Sequence, residues 1–291
     1  MNDRNHLKNY SGLRKPSWLK IKLPDVTKSG SVVSLIKEHH LNTICSSGMC
    51  PNRGECWCNG TATFMIGGDV CTRSCKFCAT KSGKPLFEPN AKEIEGIIDS
   101  IKRLGLKHVV ITSVDRDDLK DGGANHWAKM INSIHSECEN ITIEALIPDF
   151  QGKKDLIDLV VSTRPDVISH NLETVRSLTP IIRSVATYDV SLEVLKYVNQ
   201  KGIKTKSGIM LGLGEEEWEI LETMDDLLKV GCSILTIGQY LQPTTANYPV
   251  KNYIPPEKFL EYKNIGLKKG FRFVESSPLV RTSYHAEKHV L

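Results

Sequence analysis

The chain has 291 residues, 40% hydrophobic and 25% charged, with a net charge of +4, which suits one barrel-sized domain with appendages or two small domains. No apolar run approaches the ~20 residues that cross a bilayer, so no membrane is expected. Residues 1–20 lack the apolar core of a secretory signal and the Ser/Arg-rich amphipathic pattern of a transit peptide, which makes the expected location cytoplasmic.

In chain order, residues 1–30 hold seven Lys/Arg against two Asp (+5), leaving about −1 for the rest. This stretch reads as a solvated tail or as an electrostatic foot for an acidic protein partner. It lacks interleaved aromatics and any helix–turn–helix pattern, so nucleic acid is not expected. A short helix is predicted over 31–41. Residues 43–60, rich in Gly, Pro, Asn and Cys, read as a loop wrapped around something other than an apolar core. From residue 61 the pattern becomes regular. Strands are predicted at 61–66, 107–112, 141–147, 166–171, 203–211 and 233–241, alternating with amphipathic helices at 91–105, 124–138, 153–163, 191–202, 215–231 and 255–270. Six β-then-α units with short connections imply an α/β fold with a parallel sheet and right-handed crossovers, either doubly wound or an open (β/α)6 barrel. No G-x-G-x-x-G follows the first strand, and the glycine-rich 208–215 follows the fifth, where it is a weak phosphate loop. Residues 271–291 begin like a seventh strand and end as a polar tail.

Seven of the nine cysteines lie between Cys45 and Cys78. In a reducing cytosol such clustering points to ligation rather than disulfides. Cys71, Cys75 and Cys78 form C-x3-C-x2-C, and soft thiolates select iron–sulfur clusters, zinc or Cu(I). Structural zinc commonly takes four protein ligands, whereas three thiolates leave one iron of a cubane cluster open. Alone, this motif reads about as well as a zinc site or buried thiols as it does as a cluster site. Cys45, Cys50 and Cys56 form a second set, C-x4-C-x5-C, for which zinc with Cys58 as fourth ligand is the alternative. Cys138 and Cys232 read as small buried hydrophobes. His39, His40, His285 and His289 read as ordinary histidines rather than ligands.

The two motifs together, with the blocks at 14–24, 50–80, 169–175, 207–215, 238–244 and 280–286, resemble the lipoyl synthase family of radical S-adenosylmethionine (SAM) enzymes, in family order and over nearly the whole chain. The resemblance implies a partial (β/α)6 TIM-type barrel over 61–270, an N-terminal extension over 1–60 and a C-terminal tail over 271–291. It implies two 4Fe–4S clusters and SAM as cofactors. One cluster is held by Cys71, Cys75 and Cys78 and chelates SAM at its open iron. The other is auxiliary, held by Cys45, Cys50, Cys56 and a serine of a C-terminal Arg-Ser-Ser-Tyr motif. Here that motif is Arg281-Thr282-Ser283-Tyr284: threonine replaces the first serine, and Ser283 matches the ligand. Cys58 stands outside the family's ligand set. Phe77 is expected near the adenine, Asn171, Glu173 and Arg183 at the methionine and ribose, and Thr112 and Ser113 at the amino group.

The implied reaction inserts sulfur at carbons 6 and 8 of an octanoyl group carried on a lysine. Such C–H bonds lie beyond side-chain acid–base chemistry, so the cofactor must supply the radical step and the auxiliary cluster the sulfur. The implied partners are octanoylated lipoyl carrier domains (the acyltransferase subunits of 2-oxoacid dehydrogenases and the glycine-cleavage H protein) and a ferredoxin- or flavodoxin-type electron donor. Rival readings are a biotin-synthase-like sulfur inserter and a non-catalytic iron–sulfur or zinc protein.

Overall fold

The computed structural model describes residues 14–20, 30–58 and 62–290, except for the side chain of Cys58. Most of the basic 1–30 stretch, the Cys58 thiol and the predicted strand start at residue 61 lie outside the described residues. Helix α1 (Gly30–Glu38) leads into strand β1 (Asn42–Thr43), then the short helices α2 (Ile44–Ser47) and α3 (Arg53–Cys58). Strand β2 (Thr63–Ile66) opens the regular part and is followed by a small ribbon, β3 (Val70–Cys71) and β4 (Lys81–Ser82). The series continues with α4 (Ala91–Leu104), β5 (His108–Ser113), α5 (Ala124–Glu137), β6 (Thr142–Leu146), α6 (Lys154–Val161) and β7 (Val167–Ser169). It then runs through α7 (Thr179–Ile182), α8 (Tyr188–Gln200), β8 (Lys204–Leu211), α9 (Glu217–Lys229), β9 (Ile234–Gln239), α10 (Pro256–Lys269) and β10 (Phe273–Ser276).

Eight strands form one sheet in the order β1-β2-β5-β6-β7-β8-β9-β10. Among the described residues only β1 runs antiparallel, pairing with β2; every other neighbour in the sheet is parallel. The edges β1 and β10 do not pair among the described residues, so the barrel is partial. The helices form for local reasons. Helix α4, for example, starts where the Asn90 side chain accepts the Glu93 N–H and stops at Gly105 in the left-handed region (φ 61°). Its Ile94, Ile97, Ile98 and Ile101 bury one stripe against the sheet.

Two departures from expectation matter. The cysteine-rich 43–60 segment is not all loop: Thr43 caps α2 through the Ser46 N–H. Cys45 and Trp57 pack with Val32 and Ala62 into a small apolar cluster. Composition hid this, because partners such as Val32 and Ala62 lie outside the segment. The other departure is the tail. Val280 crowds Gly238 on β9, Thr282 meets Gly208 on β8, and Ser283 bonds Thr63 on β2. A final 3-10 turn, Ala286–His289, packs on β5, and the His289 ring lies against Phe273 of β10. A segment touching five strands from both halves of the sheet runs along its concave face.

That interior is polar. Lys206 and Glu144, both fully buried, form a salt bridge at 2.8 Å, and Ser169 donates to the same carboxylate. His170 is locked between the Ile147 carbonyl and Ser191 and held by burial at a pKa of about 4; burial also holds the fully enclosed His289 at about 3. Both imidazoles therefore fold neutral, while the unfolded chain protonates near 6.5. A depressed folded pKa means that stability is retained above about pH 6.5 and is lost progressively as pH falls toward 4 and 3. Melting temperature measured from pH 7 to 4 should fall, and less steeply in His289→Phe; equal slopes would exclude His289 as a contributor.

Candidate metal centres

The loop carrying Cys71, Cys75 and Cys78 leaves the C-terminal end of β2, at the barrel mouth. Gly67 and Gly68 make the turn at φ 84° and 99°, backbone that side chains rarely adopt. Arg73, between the first two cysteines, is buried and anchors the loop. It makes paired hydrogen bonds to Asp117 (2.7 and 2.9 Å) and to Asp149 (3.0 and 2.7 Å), and lies 3.3 Å from Asp115. The Thr72 N–H bonds the Asp115 carbonyl, the Lys76 N–H the Ile182 carbonyl, and the Asn247 amide the Cys78 carbonyl. Burial, reinforced by the Asp115 charge, pushes the Cys71 thiol up to about 12, and burial raises Cys78 too. As free thiols they stay protonated at neutral pH, and deprotonation calls for a bound metal. Phe77 is partly buried against Ile182, Leu213, Tyr240 and Val250.

Asn171, Glu173 and Arg183 come together at the end of β7. Arg183 donates to the Asn171 carbonyl (3.2 Å) and to Ser191 (2.9 Å), while its buried Nε–H has no partner among the described residues. The Asn171 amide donates to Glu173 (3.1 Å) and Thr282 (2.8 Å), leaving its buried Oδ1 unpartnered among the described residues. Burial raises the Glu173 carboxyl against the pull of Arg183 and Asn171. Glu173 itself sits at φ 69°, held by backbone bonds to Gly208 and Met210, a strained conformation of the kind found at functional sites. Thr112 and Ser113, at the end of β5, bond the Leu146 carbonyl and the Trp127 indole. The glycine-rich 208–215 is no open phosphate loop: the Glu215 carboxylate accepts the Gly212, Leu213 and Gly214 N–H groups.

A cavity of about 350 Å³ is lined by Cys45, Cys50, Cys56 and Ser283 together. Thr63 donates to the Ser283 hydroxyl at 2.8 Å, the Asn52 amide holds the Leu279 carbonyl at 2.7 Å, and Tyr284 donates to Glu55 at 3.1 Å. The extension and the tail thus close on each other around the cavity. Burial raises the Cys50 thiol, and the Arg281 charge opposes that rise. Arg281 also acts on Glu173, so one partly buried cation lining the thiol cavity is felt at both sites. Three soft donors and one hydroxyl around a chamber of this size fit a polynuclear cluster. A single zinc would hold its sulfurs ~3.8 Å apart, yet among the described residues neither trio gathers within 4.8 Å. Only Glu38, His39 and Asp99 do, and the Arg103 guanidinium already bridges those carboxylates. Cys138 and Cys232 are buried, as expected.

Sequence reasoning missed Arg73, Asp115, Asp117 and Asp149, because an arginine among cysteines reads as a surface charge. It also missed Thr63 and Asn52, which carry no motif of their own.

Residues 65–227 match the model of the radical SAM superfamily. The chain is 61% identical over 279 residues to the lipoyl synthase of Treponema denticola, covering 96% of each chain. It is 58% identical to that of Phocaeicola vulgatus, covering 96% of this chain and 98% of that one. The chain belongs to the lipoyl synthase family. These are sulfur-inserting radical SAM enzymes that use SAM and 4Fe–4S clusters on a protein-bound octanoyl substrate. Among solved structures, Streptococcus suis SuiB bound to S-adenosylmethionine aligns with a TM-score of 0.58 at 15% identity, covering 78% of this chain and 55% of that one. Methylornithine synthase aligns at 0.55 and 11%, covering 91% and 82%. At such identities the likeness is one of fold, a mostly parallel α/β partial barrel. Among the described residues no helix is long and apolar enough to cross a membrane.

Proposed function

We infer that this chain is a lipoyl synthase, placing two sulfur atoms at carbons 6 and 8 of an octanoyl-lysine on a carrier domain in the cytoplasm. The observation that carries the reading is the convergence of Cys45, Cys50, Cys56 and Ser283 on one cavity, with Glu173 and Cys50 facing the same Arg281. In this reading the 1–60 extension and the 271–291 tail are two halves of the auxiliary site, and 61–270 is the radical SAM barrel. Cys71, Cys75 and Cys78 hold the SAM-binding cluster; Cys45, Cys50, Cys56 and Ser283 hold the auxiliary one. When bound, these groups supply a one-electron route to hydrogen abstraction from unactivated carbon, and the sulfur.

The protein's own task is placement. Asn171 offers an unpartnered acceptor and Arg183 an unpartnered donor, suiting the ammonium and carboxylate of an amino acid. Glu173 supplies a carboxyl between them, Phe77 an apolar wall, and Thr112 and Ser113 hydroxyls at the second strand's end. A hydroxyl oxygen at Ser283 would hold iron less firmly than a thiolate, which suits a ligand that can be replaced.

For partners, the proposal is a lipoyl carrier domain drawn by the basic 1–30 stretch and an acidic electron donor of flavodoxin or ferredoxin type. Exposed Lys76, Lys81, Lys84 and Lys251 surround the cysteine loop, and none forms an ion pair among the described residues. Changing Lys81 and Lys84 together to Glu should raise the KM for reduced flavodoxin about tenfold at low salt. Dithionite-driven turnover should stay as in wild type; an unchanged flavodoxin KM would remove the lysines from the docking face.

The whole function is tested anaerobically. Protein reconstituted with iron and sulfide receives SAM, reductant and an octanoyl-lysine carrier domain, and the lysine is read by mass spectrometry. Singly and then doubly sulfur-inserted products are expected. SAM cleavage with an untouched octanoyl group would make the substrate wrong.

A further inference from the structure

Thr282 is where this chain departs from the Arg-Ser-Ser-Tyr pattern, and it lies between the two sites. On one side its Oγ1 accepts from the Asn171 amide at 2.8 Å. On the other, it directly precedes Ser283, whose hydroxyl lines the thiol cavity. Glycine at 208 lets these groups meet: a Cβ there would stand 3.0 Å from Asn171 Oδ1, 3.3 Å from Thr282 Oγ1 and 2.6 Å from Thr236 Oγ1. The bond fixes more than distance. A side-chain amide can be turned either way; here Nδ2 is committed to Thr282 and Glu173, which leaves Oδ1 buried, unpartnered and free to accept. The γ-methyl of threonine stiffens χ1 and keeps Oγ1 in place.

We propose that Thr282 is a positioning residue through which the seated tail sets the acceptor face of Asn171, so that SAM binding and tail seating favour each other. The proposal rests on the assignment of Asn171 to the SAM pocket made above. Thermodynamic linkage then runs both ways. A tail displaced from the thiol cavity weakens SAM binding, and bound SAM holds the tail in place. An enzyme whose sulfur donor has been spent, with Ser283 released, would therefore hold SAM less tightly and consume less of it without product.

The test uses the reconstituted protein with SAM, read by equilibrium binding and by release of tail peptides under limited proteolysis. Thr282→Val keeps the shape but loses the acceptor, and should raise the SAM Kd roughly three- to tenfold, the size of one net hydrogen bond. It should also abolish SAM-dependent protection of the tail, while Thr282→Ser restores both. A Thr282→Val protein that binds SAM like wild type, or a wild-type tail cut equally fast with and without SAM, overturns the link. Asn171→Ala separates the two levels: if it binds SAM normally, the SAM-pocket reading itself fails, and the link falls with it.

Discussion

Replacing Arg73 with methionine should strip iron from the Cys71–Cys78 loop and abolish SAM cleavage, with the Cys45–Cys56 site still loaded. Arg73 is 4% exposed and neutralises a cluster of aspartates from the segments that follow β5 and β6. The geometry is paired twice over, so its guanidinium is held protonated, and Asp149 is pulled down to about 2. Removing one member of a buried charge pair typically costs about 3–5 kcal/mol, because the other charge is left without compensation. Here Asp115, Asp117 and Asp149 would all be stranded, and Asp115 lies 3.7 Å from the Cys71 sulfur. Lysine cannot reproduce the fork, so Arg73→Lys should recover charge but only part of the iron. Iron and sulfide per chain, with the far-ultraviolet circular dichroism of the apoprotein, separate loop release from unfolding. A methionine variant holding its full iron would refute the anchor.

Ser283→Ala should uncouple the two halves of the reaction. Its hydroxyl bonds Thr63 and lines the thiol cavity, whereas Asn171, Glu173 and Arg183 lie on the other side of Thr282. SAM cleavage should therefore continue while lipoyl product falls by more than the roughly 10–100-fold that loss of an outer-sphere partner costs a metal site. Ser283→Cys should keep the auxiliary iron but turn over slowly, since a thiolate is the softer and firmer ligand. The ratio of deoxyadenosine to lipoyl-lysine is the measurement. Wild-type yield from the alanine variant would place the fourth ligand elsewhere.

The regular part of the fold was legible because parallel strands buried on both faces are written as apolar runs. β5, β6, β8 and β9 fall within a residue or two of expectation, and α4 stops at Gly105 where the pattern does. The seventh strand, β10, was visible in its opening aromatics. The cysteine spacings announced two sites, and the likeness to family blocks pointed to Ser283. Beyond local pattern the reading stopped. Arg73 finds its partners 44 and 76 residues away, and no periodicity encodes that. Lys206 and Glu144 fall inside predicted strands, where nothing marks them as a buried ion pair, since polar side chains usually face water; with His289 they line the interior of this open barrel. The tail's polar composition likewise hid its path across five strands, and only the likeness of 280–286 to the family block marked Ser283 within it.

The closing contacts of the thiol cavity join residues 220, 227 and 229 positions apart: Thr63 to Ser283, Asn52 to Leu279, Glu55 to Tyr284. Bringing together ends so far apart carries a loop-closure entropy that is recovered only once the intervening barrel exists. Contacts of that separation form late and slowly. The chamber is thus expected to close after the barrel has formed, with its three thiols open to delivered iron until the tail is seated.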